Sequence, residues 1–405
     1  MKQPHSLFAL PVVCLLVLTA ACGRAHEKPI GEVVDQALAS AAEQSLRMAA
    51  KYESDSLALP RSYADGQDVS SDSRWWCSGF FPGLLWYLYE NDPRPELLAY
   101  ARQYTARVER EKYNTHTHDL GFMLYCSFGN ALRLTADTAC REVLLTGARS
   151  LSSRYNPSIG LIRSWDHTNG GQWQYPVIID NMMNLELLFW AARESGDASF
   201  RDIAVSHADH TMEHHFRPDF STVHVVSYDT VTAMPHARQT HQGFADGSAW
   251  ARGQAWGLYG YTVAYRETGD RRYLEQAVQI ARFLLSHPNM PGDYIPYWDF
   301  NAPGIPGELR DASAGAIICS ALIELSGYVD DVLSAQYLRV AEKQLRTLAS
   351  PQYTAEPGAN GDFILMHSVG HLPGGSEVDV PLTYADYYYV EALTRASRIP
   401  SLGGK

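Results

Sequence analysis

Residues 312–327 read ASAGAIICSALIELSG, and residues 331–348 read DVLSAQYLRVAEKQLRTL. Both have helical periodicity, but of different kinds. The first is apolar almost all round, with Gly and Ala that let neighbours approach closely. The second has an apolar stripe and a charged face carrying Arg339, Glu342, Lys343 and Arg346. A helix apolar on every side is buried, whereas a striped helix covers a surface.

The same alternation runs along the chain. Helices are predicted over 32–52, 78–89, 94–111, 119–134, 139–155, 181–194, 198–214, 248–267, 272–287, 312–327, 331–348 and 384–397. Even-numbered members read as buried and odd-numbered ones as covering. That pattern predicts an all-α fold, an (α/α)6 barrel of six inner and six outer helices. Successive helices are antiparallel, so all inner helices start at one end. Long connections precede several of those starts, and such loops usually build sites. Val223, Val225 and Val226 predict one short strand within 221–229.

The 405 residues, 46% hydrophobic and 19% charged, suffice for a large core. The barrel is expected over 32–400. Residues 1–21 read as a lipoprotein-type signal peptide: Lys2, an apolar run over 7–18 too short to span a bilayer, then Thr19-Ala20-Ala21. Cys22 follows at the position of lipidation, although Thr19 departs from the usual aliphatic residue. A tether over 22–31 would then join a lipid-anchored monomer to a membrane, in the periplasm or outer membrane of a bacterium. Cleavage removes Lys2 and moves the formal net charge from −12 to −13. So acidic a chain is excluded as a nucleic-acid binder. Cys77, Cys126, Cys140 and Cys319 lack metal-ligand spacing and read as buried free thiols.

The chemistry is concentrated at the inner-helix starts. Asp180 ends the apolar approach Tyr175-Pro176-Val177-Ile178-Ile179. Apolar surroundings disfavour a carboxylate, so such an acid can stay protonated near neutral pH and serve as a general acid. Asp119 follows Thr115-His116-Thr117-His118, and a second carboxylate nearby would raise the first one's pKa further. Two carboxylates in a sugar site suggest glycoside chemistry. Ordinary helix capping is the competing explanation for each acid alone. His116 and His118 alternate without an evident third ligand, so neither metal nor cofactor is expected. Trp75, Trp76, Trp165, Trp173, Trp250, Trp256 and Trp298 lie near loops or helix starts, where sugar rings could stack. Arg252 on a buried helix needs a partner: an anionic substrate, or Asp246 or Asp311.

With these residues in view, the chain from 32 to 398 resembles the unsaturated glucuronyl hydrolases of glycoside hydrolase family 88. The resemblance rests jointly on segments 74–83, 118–122, 164–166, 179–184, 241–256, 311–314 and 384–387. It implies the (α/α)6 barrel. It also implies removal of the 4,5-unsaturated uronic acid from the non-reducing end of lyase-generated oligosaccharides, by protonation at C4 and hydration at C5. Asp180 matches the general acid/base and Asp119 the second carboxylate. His118, Trp165, His224, Gln242, Arg252 and Trp256 match substrate-contacting positions, with Trp75 or Trp76 as a further stacking surface. Arg252 with His224 is expected to meet the uronate carboxylate. Glycosaminoglycan-type disaccharides are the expected substrates, although the loop over 367–379 has Ser368 and Ser376 but no Lys. An unsaturated rhamnogalacturonyl hydrolase and a non-catalytic oligosaccharide-binding lipoprotein are the alternatives. A sugar epimerase would need a reversible proton-transfer pair that is not evident.

Overall fold

The computed structural model describes Met1 and residues 27–403. The leader sequence and Cys22 lie outside the described residues, apart from Met1. The helices in chain order are α1 (Ile30–Lys51), α2 (Phe80–Asn91), α3 (Pro95–Val108), α4 (Asn130–Thr135), α5 (Thr138–Ser152) and α6 (Leu185–Ser195). Then come α7 (Ala198–His214), α8 (Ala251–Thr268), α9 (Arg271–Ser286), α10 (Ala312–Leu325), α11 (Asp331–Leu348) and α12 (Thr383–Ala396).

Packing sorts them into two rings. α2, α4 with its preceding turns, α6, α8, α10 and α12 contact one another in sequence, and α12 returns to α2 to close the inner ring. α1, α3, α5, α7, α9 and α11 lie outside it. The division follows burial. Every residue of α10 except Glu324 is buried, whereas α11 buries only Tyr337, Val340, Ala341, Gln344, Leu345 and Leu348. Close approach between inner helices depends on glycine at particular points. A Cβ on Gly83 would sit 2.5 Å from the Cys126 carbonyl oxygen.

The fourth and sixth helices differ from expectation. Gly121–Gly129 winds as a π-helix before the short α4, and Ile179–Asn184 is a 3-10 turn before α6. The two departures meet. Gly121 lies against Asn184, where a Cβ would come within 2.6 Å of the Asn184 Cα, and the Phe122 amide donates to Asn184 Oδ1 at 2.9 Å. That side chain takes up an amide at the helix start, where no preceding turn is available to accept it.

Short antiparallel strands decorate the end where the inner helices begin. They are β1 (Leu59–Ala64) with β2 (Gln67–Ser71), and β3 (Tyr155–Asn156) with β4 (Leu161–Ile162). A three-stranded sheet follows in the order β5 (Tyr175–Ile178), β6 (Val225–Tyr228), β7 (Pro235–Gln239), and then the hairpin β8 (Ser368–His371) with β9 (Ser376–Val380). The expected strand within 221–229 is β6; the others had not been anticipated. At the opposite end, Arg266 pairs with Glu186, Glu267 and Glu324, and Arg395 pairs with Glu324 and Glu391. Glu186, Arg266, Glu391 and Arg395 line a cavity of about 490 Å³ there. Cys77, Cys126, Cys140 and Cys319 are free thiols.

Candidate active site

Strand pairing places the first two site residues together. Ile178 lies opposite Val225 in the β5–β6 ladder, and the Ile179 amide continues it by donating to the His224 carbonyl at 3.1 Å. Asp180 and His224 are thus neighbours across the sheet end. The His224 Nε2 to Asp180 Oδ2 distance is 3.9 Å. His224 Nδ1 faces the backbone amides of His241 and Gln242 at 3.2 and 3.3 Å. Those amides can only donate, so Nδ1 accepts and Nε2 carries the proton facing Asp180. Burial holds this imidazole well below its usual pKa, hence neutral.

Asp180 is 9% exposed. Burial is the main force on its carboxyl, the Arg252 charge opposes it, and Asp119 adds to it; the outcome is a pKa raised to about 7. The Trp256 indole N–H, a buried donor without a hydrogen-bond partner, acts more weakly in favour of the ionised form.

Capping and chemistry separate cleanly. Asp137, Asp197, Asp270 and Asp330 cap the outer helices α5, α7, α9 and α11 through their side chains, and Asp311 caps α10. The cap position of the turn that carries Asp180 is Ile178, so Asp180 sits inside the first turn rather than at its cap. Asp119 accepts a hydrogen bond from the Thr117 hydroxyl at 2.8 Å and lies 3.2 Å from His118 Nε2.

Arg252 is held largely by the protein itself. It is 1% exposed, and Nη1 and Nη2 donate to the Val369 and Gly370 carbonyls of β8 at 2.5 and 2.6 Å. Nη1 also lies 3.4 Å from Asp311 Oδ2, so Asp311 is its acidic partner. Asp246 instead accepts from the Thr240 amide. Of the three Arg252 nitrogens, Nε has no hydrogen-bond partner. Gln242 Nε2 donates to the same Gly370 carbonyl at 3.0 Å.

The tryptophans divide likewise. Trp165 is half-buried and stacks on Trp173 at 5.4 Å, with its edge toward His224. Trp76 packs on Phe122 and Tyr384, and Trp256 on Phe122 and Tyr388, in one aromatic wall. Trp75 is exposed, with Arg61 lying 3.9 Å over its ring. Trp298 belongs to a separate apolar cluster with Ala302 and Val369. His116 and His118 do not converge on a common point: His116 is exposed beside Asp166, and His118 is buried behind Asp119. Among the described residues, no group of three or more His, Cys, Asp or Glu is placed to hold a metal ion.

Two residues that the sequence offered only as a possible stacking surface (Trp250) or within a matching segment (Ser164) take structural roles at the site. Ser164 ties the site together, its hydroxyl accepting the Ile178 amide and its carbonyl facing His118. Trp250 packs its ring 4.4 Å from His224 and 4.5 Å from the Arg252 guanidinium. These contacts, unlike the residues, are legible only after strand and hairpin pairing bring distant segments together.

Buried polar atoms without partners gather at this end: Asp180 Oδ2, His224 Nε2, Arg252 Nε, Trp256 Nε1 and the Tyr384 hydroxyl. Buried polar groups are ordinarily paired, so such a cluster marks where a polar ligand completes the site. A raised acid, a second carboxylate and an aromatic wall at one mouth of an (α/α)6 barrel define a glycoside hydrolase.

Comparison with known proteins agrees. The chain is 46% identical over 344 residues to the unsaturated glucuronyl hydrolase of Formosa agariphila, covering 84% of this chain and 85% of that one. It is 30% identical over 379 residues to the unsaturated chondroitin disaccharide hydrolase of Streptococcus pneumoniae, covering 91% and 92%. It superposes on the crystal structure of an unsaturated glucuronyl hydrolase specific for heparin with a TM-score of 0.88 and 48% identity, covering 91% of this chain and 98% of that one. No family model matches the chain. The chain belongs to the unsaturated glucuronyl hydrolase family.

Proposed function

We propose that this enzyme removes the 4,5-unsaturated uronic acid from disaccharides released by glycosaminoglycan lyases. The carrying observation is Asp180, an acid raised to about 7 among unpaired buried donors. Protonated Asp180 delivers its proton to C4 of the enol ether. The cation left at C5 is shared with the ring oxygen. Water adds at C5 and its proton returns to the Asp180 carboxylate. The resulting hemiketal opens, and the C1 bond to the next sugar is lost. One group with a pKa near neutrality serves as acid and then as base, so no nucleophile is needed. Asp119 and Gln242 hold sugar hydroxyls, and Trp165 and Trp76 offer faces for the rings. His224 Nε2–H and Arg252 Nε–H are the donors left for the uronate carboxylate.

Glycosaminoglycan substrates are supported by the relatives named for chondroitin disaccharides and for heparin. The test follows the ultraviolet absorbance of the conjugated C4=C5 uronate with chondroitin, hyaluronan, heparin and pectin lyase products. Absorbance falls with glycosaminoglycan products; no fall with any of them, or a fall with pectin fragments alone, would refute the assignment. The pH dependence has a definite sign. Asp180 must start protonated, so turnover declines as pH rises through about 7. A rate that keeps rising to pH 9 would exclude Asp180 as the proton donor.

The enzyme is further proposed to be a monomer held at a bacterial membrane through lipidated Cys22. No helix among the described residues is long and apolar enough to cross a membrane. Labelled palmitate should enter the parent chain and not C22S, and C22S should move from the membrane fraction to the soluble one. Equal labelling of both would reject the anchor.

A further inference from the structure

The segment from Leu161 to Trp165 touches the surroundings of both acids. Ser164 donates its amide to the Pro176 carbonyl at 2.9 Å, and its hydroxyl accepts the Ile178 amide at 3.0 Å, which fixes the approach to Asp180. Its carbonyl meets His118, the neighbour of Asp119, at 2.9 Å. Trp165 closes the segment with its stacking face. Pairing with β3 covers only two residues, Leu161 and Ile162. Just beyond them, the Arg163 amide donates to the Arg154 carbonyl at 3.0 Å. Ile162 lies opposite Tyr155, with its own amide and carbonyl facing away from β3. Side chains take both. The amide donates to His207 Nδ1 at 3.0 Å, and the carbonyl accepts from Asn181 Nδ2 at 3.1 Å.

His207 reaches in from the outer helix α7, and Asn181 directly follows Asp180. Both are 0% exposed. The Ile162 amide can only donate, so Nδ1 accepts and Nε2 carries the hydrogen. Burial holds this ring neutral, and His215, His118 and His210 act in the same direction. Each residue keeps one buried polar atom without a partner, His207 Nε2 and Asn181 Oδ1. Such an atom costs about as much as one bond gains, so stability alone gives little reason for either side chain.

We propose that His207 and Asn181 are positioning residues that act as one unit through the Ile162 backbone, holding the Asp180 turn against the strand that carries Ser164 and Trp165. This rests on the hydrolase activity proposed above and extends its machinery to the outer ring. With both bonds made, the turn keeps the Asp180 carboxyl away from water. With either bond lost, the turn separates from the strand and water reaches the carboxyl. Its proton affinity then falls toward that of an ordinary aspartic acid. The other groups acting on Asp180 are Arg252, Asp119, Trp256 and neutral His224, and the substitutions below replace none of them.

A double-mutant cycle tests the unit, with every variant measured below its unfolding transition. H207L and N181A each remove one bond to Ile162. Each is expected to lower kcat about tenfold with KM within about 3-fold, and to move the alkaline limb to lower pH. The double variant should lose about as much as either single one, rather than the roughly hundredfold that independent sites give. In H207N the amide oxygen takes the place of Nδ1 and accepts from Ile162, so kcat and the limb should return to parental values. Merely structural residues would lower the unfolding midpoint and leave kcat and the limb unchanged. That result, or a hundredfold loss in the double variant, overturns the proposal. Should H207L or N181A fail to fold, H207Q and N181S take their places in the cycle. The first carries its amide past the Ile162 amide, and the second is too short to reach the carbonyl. Carbon-13 titration of the Asp180 carboxyl reads the same shift without substrate. A titration that moves down in the single variants and returns in H207N supports the proposal, and an unmoved one overturns it. If it moves while the parent shows no fall in absorbance, the enzymatic assignment alone fails.

Discussion

Asp180→Asn is expected to lower kcat by on the order of 10³- to 10⁴-fold, because it removes both the proton given to C4 and the base that receives water's proton. The same variant should be more stable than the parent in alkaline solution. The sign follows from linkage. The Asp180 pKa rises from 3.8 to about 7 on folding. Below 3.8 the acid is protonated in both states and costs nothing. Between the two values the unfolded chain has lost the proton and the folded one retains it, so stability falls as pH rises, and the cost is complete above about 7. That cost has an upper bound of roughly 4 kcal/mol. Asn carries no charge, so the gain in denaturation midpoint for D180N should be small at pH 4 and large at pH 8. A variant that retains turnover would remove Asp180 from the central role. A midpoint difference independent of pH would contradict the buried, raised acid.

The barrel could be read in advance because its signal is repetitive and local. Buried α10 and striped α11 differ in every turn, and helices 198–214 and 331–348 lie where periodicity predicts them. The π-wound Gly121–Gly129 could not be read so, because it meets Asn184, 62 residues downstream, whose side chain accepts the Phe122 amide. Strands of two to six residues are too short for periodicity to declare them. They matter here because the β5–β6 ladder is what sets His224 beside Asp180. The site acids were visible from their type and place. Their state was not, since the pKa of Asp180 depends on burial and on Arg252 and Asp119, all assembled by tertiary contacts.

Arg252 combines both kinds of dependence, and its replacement tests them together. Its guanidinium joins α8 to the β8 carbonyls of Val369 and Gly370, stands beside fully buried Asp311, and lies between the rings of Trp250 and Tyr384. Arg252→Ala would leave the Asp311 carboxylate without its cation and two carbonyls without donors. Removing one member of a buried ion pair costs about 3–5 kcal/mol. R252A should therefore unfold at markedly lower denaturant, and protease should cut earliest within 367–380, the segment it no longer holds. Arg252→Lys keeps the charge but lacks the planar fork, so it cannot serve both carbonyls and Asp311 at once. The catalytic readout separates charge from fork. The Arg252 cation favours the ionised form of Asp180. Losing it raises the acid's pKa, so the alkaline limb should move to higher pH in R252A and stay near its parental place in R252K. If both variants keep the parental limb while losing the hairpin, Arg252 is a strut alone. If R252A shifts the limb as expected, the side chain that fastens the hairpin also sets the proton affinity of the catalytic acid, and an inner helix of the barrel thereby couples substrate-loop order to acid strength.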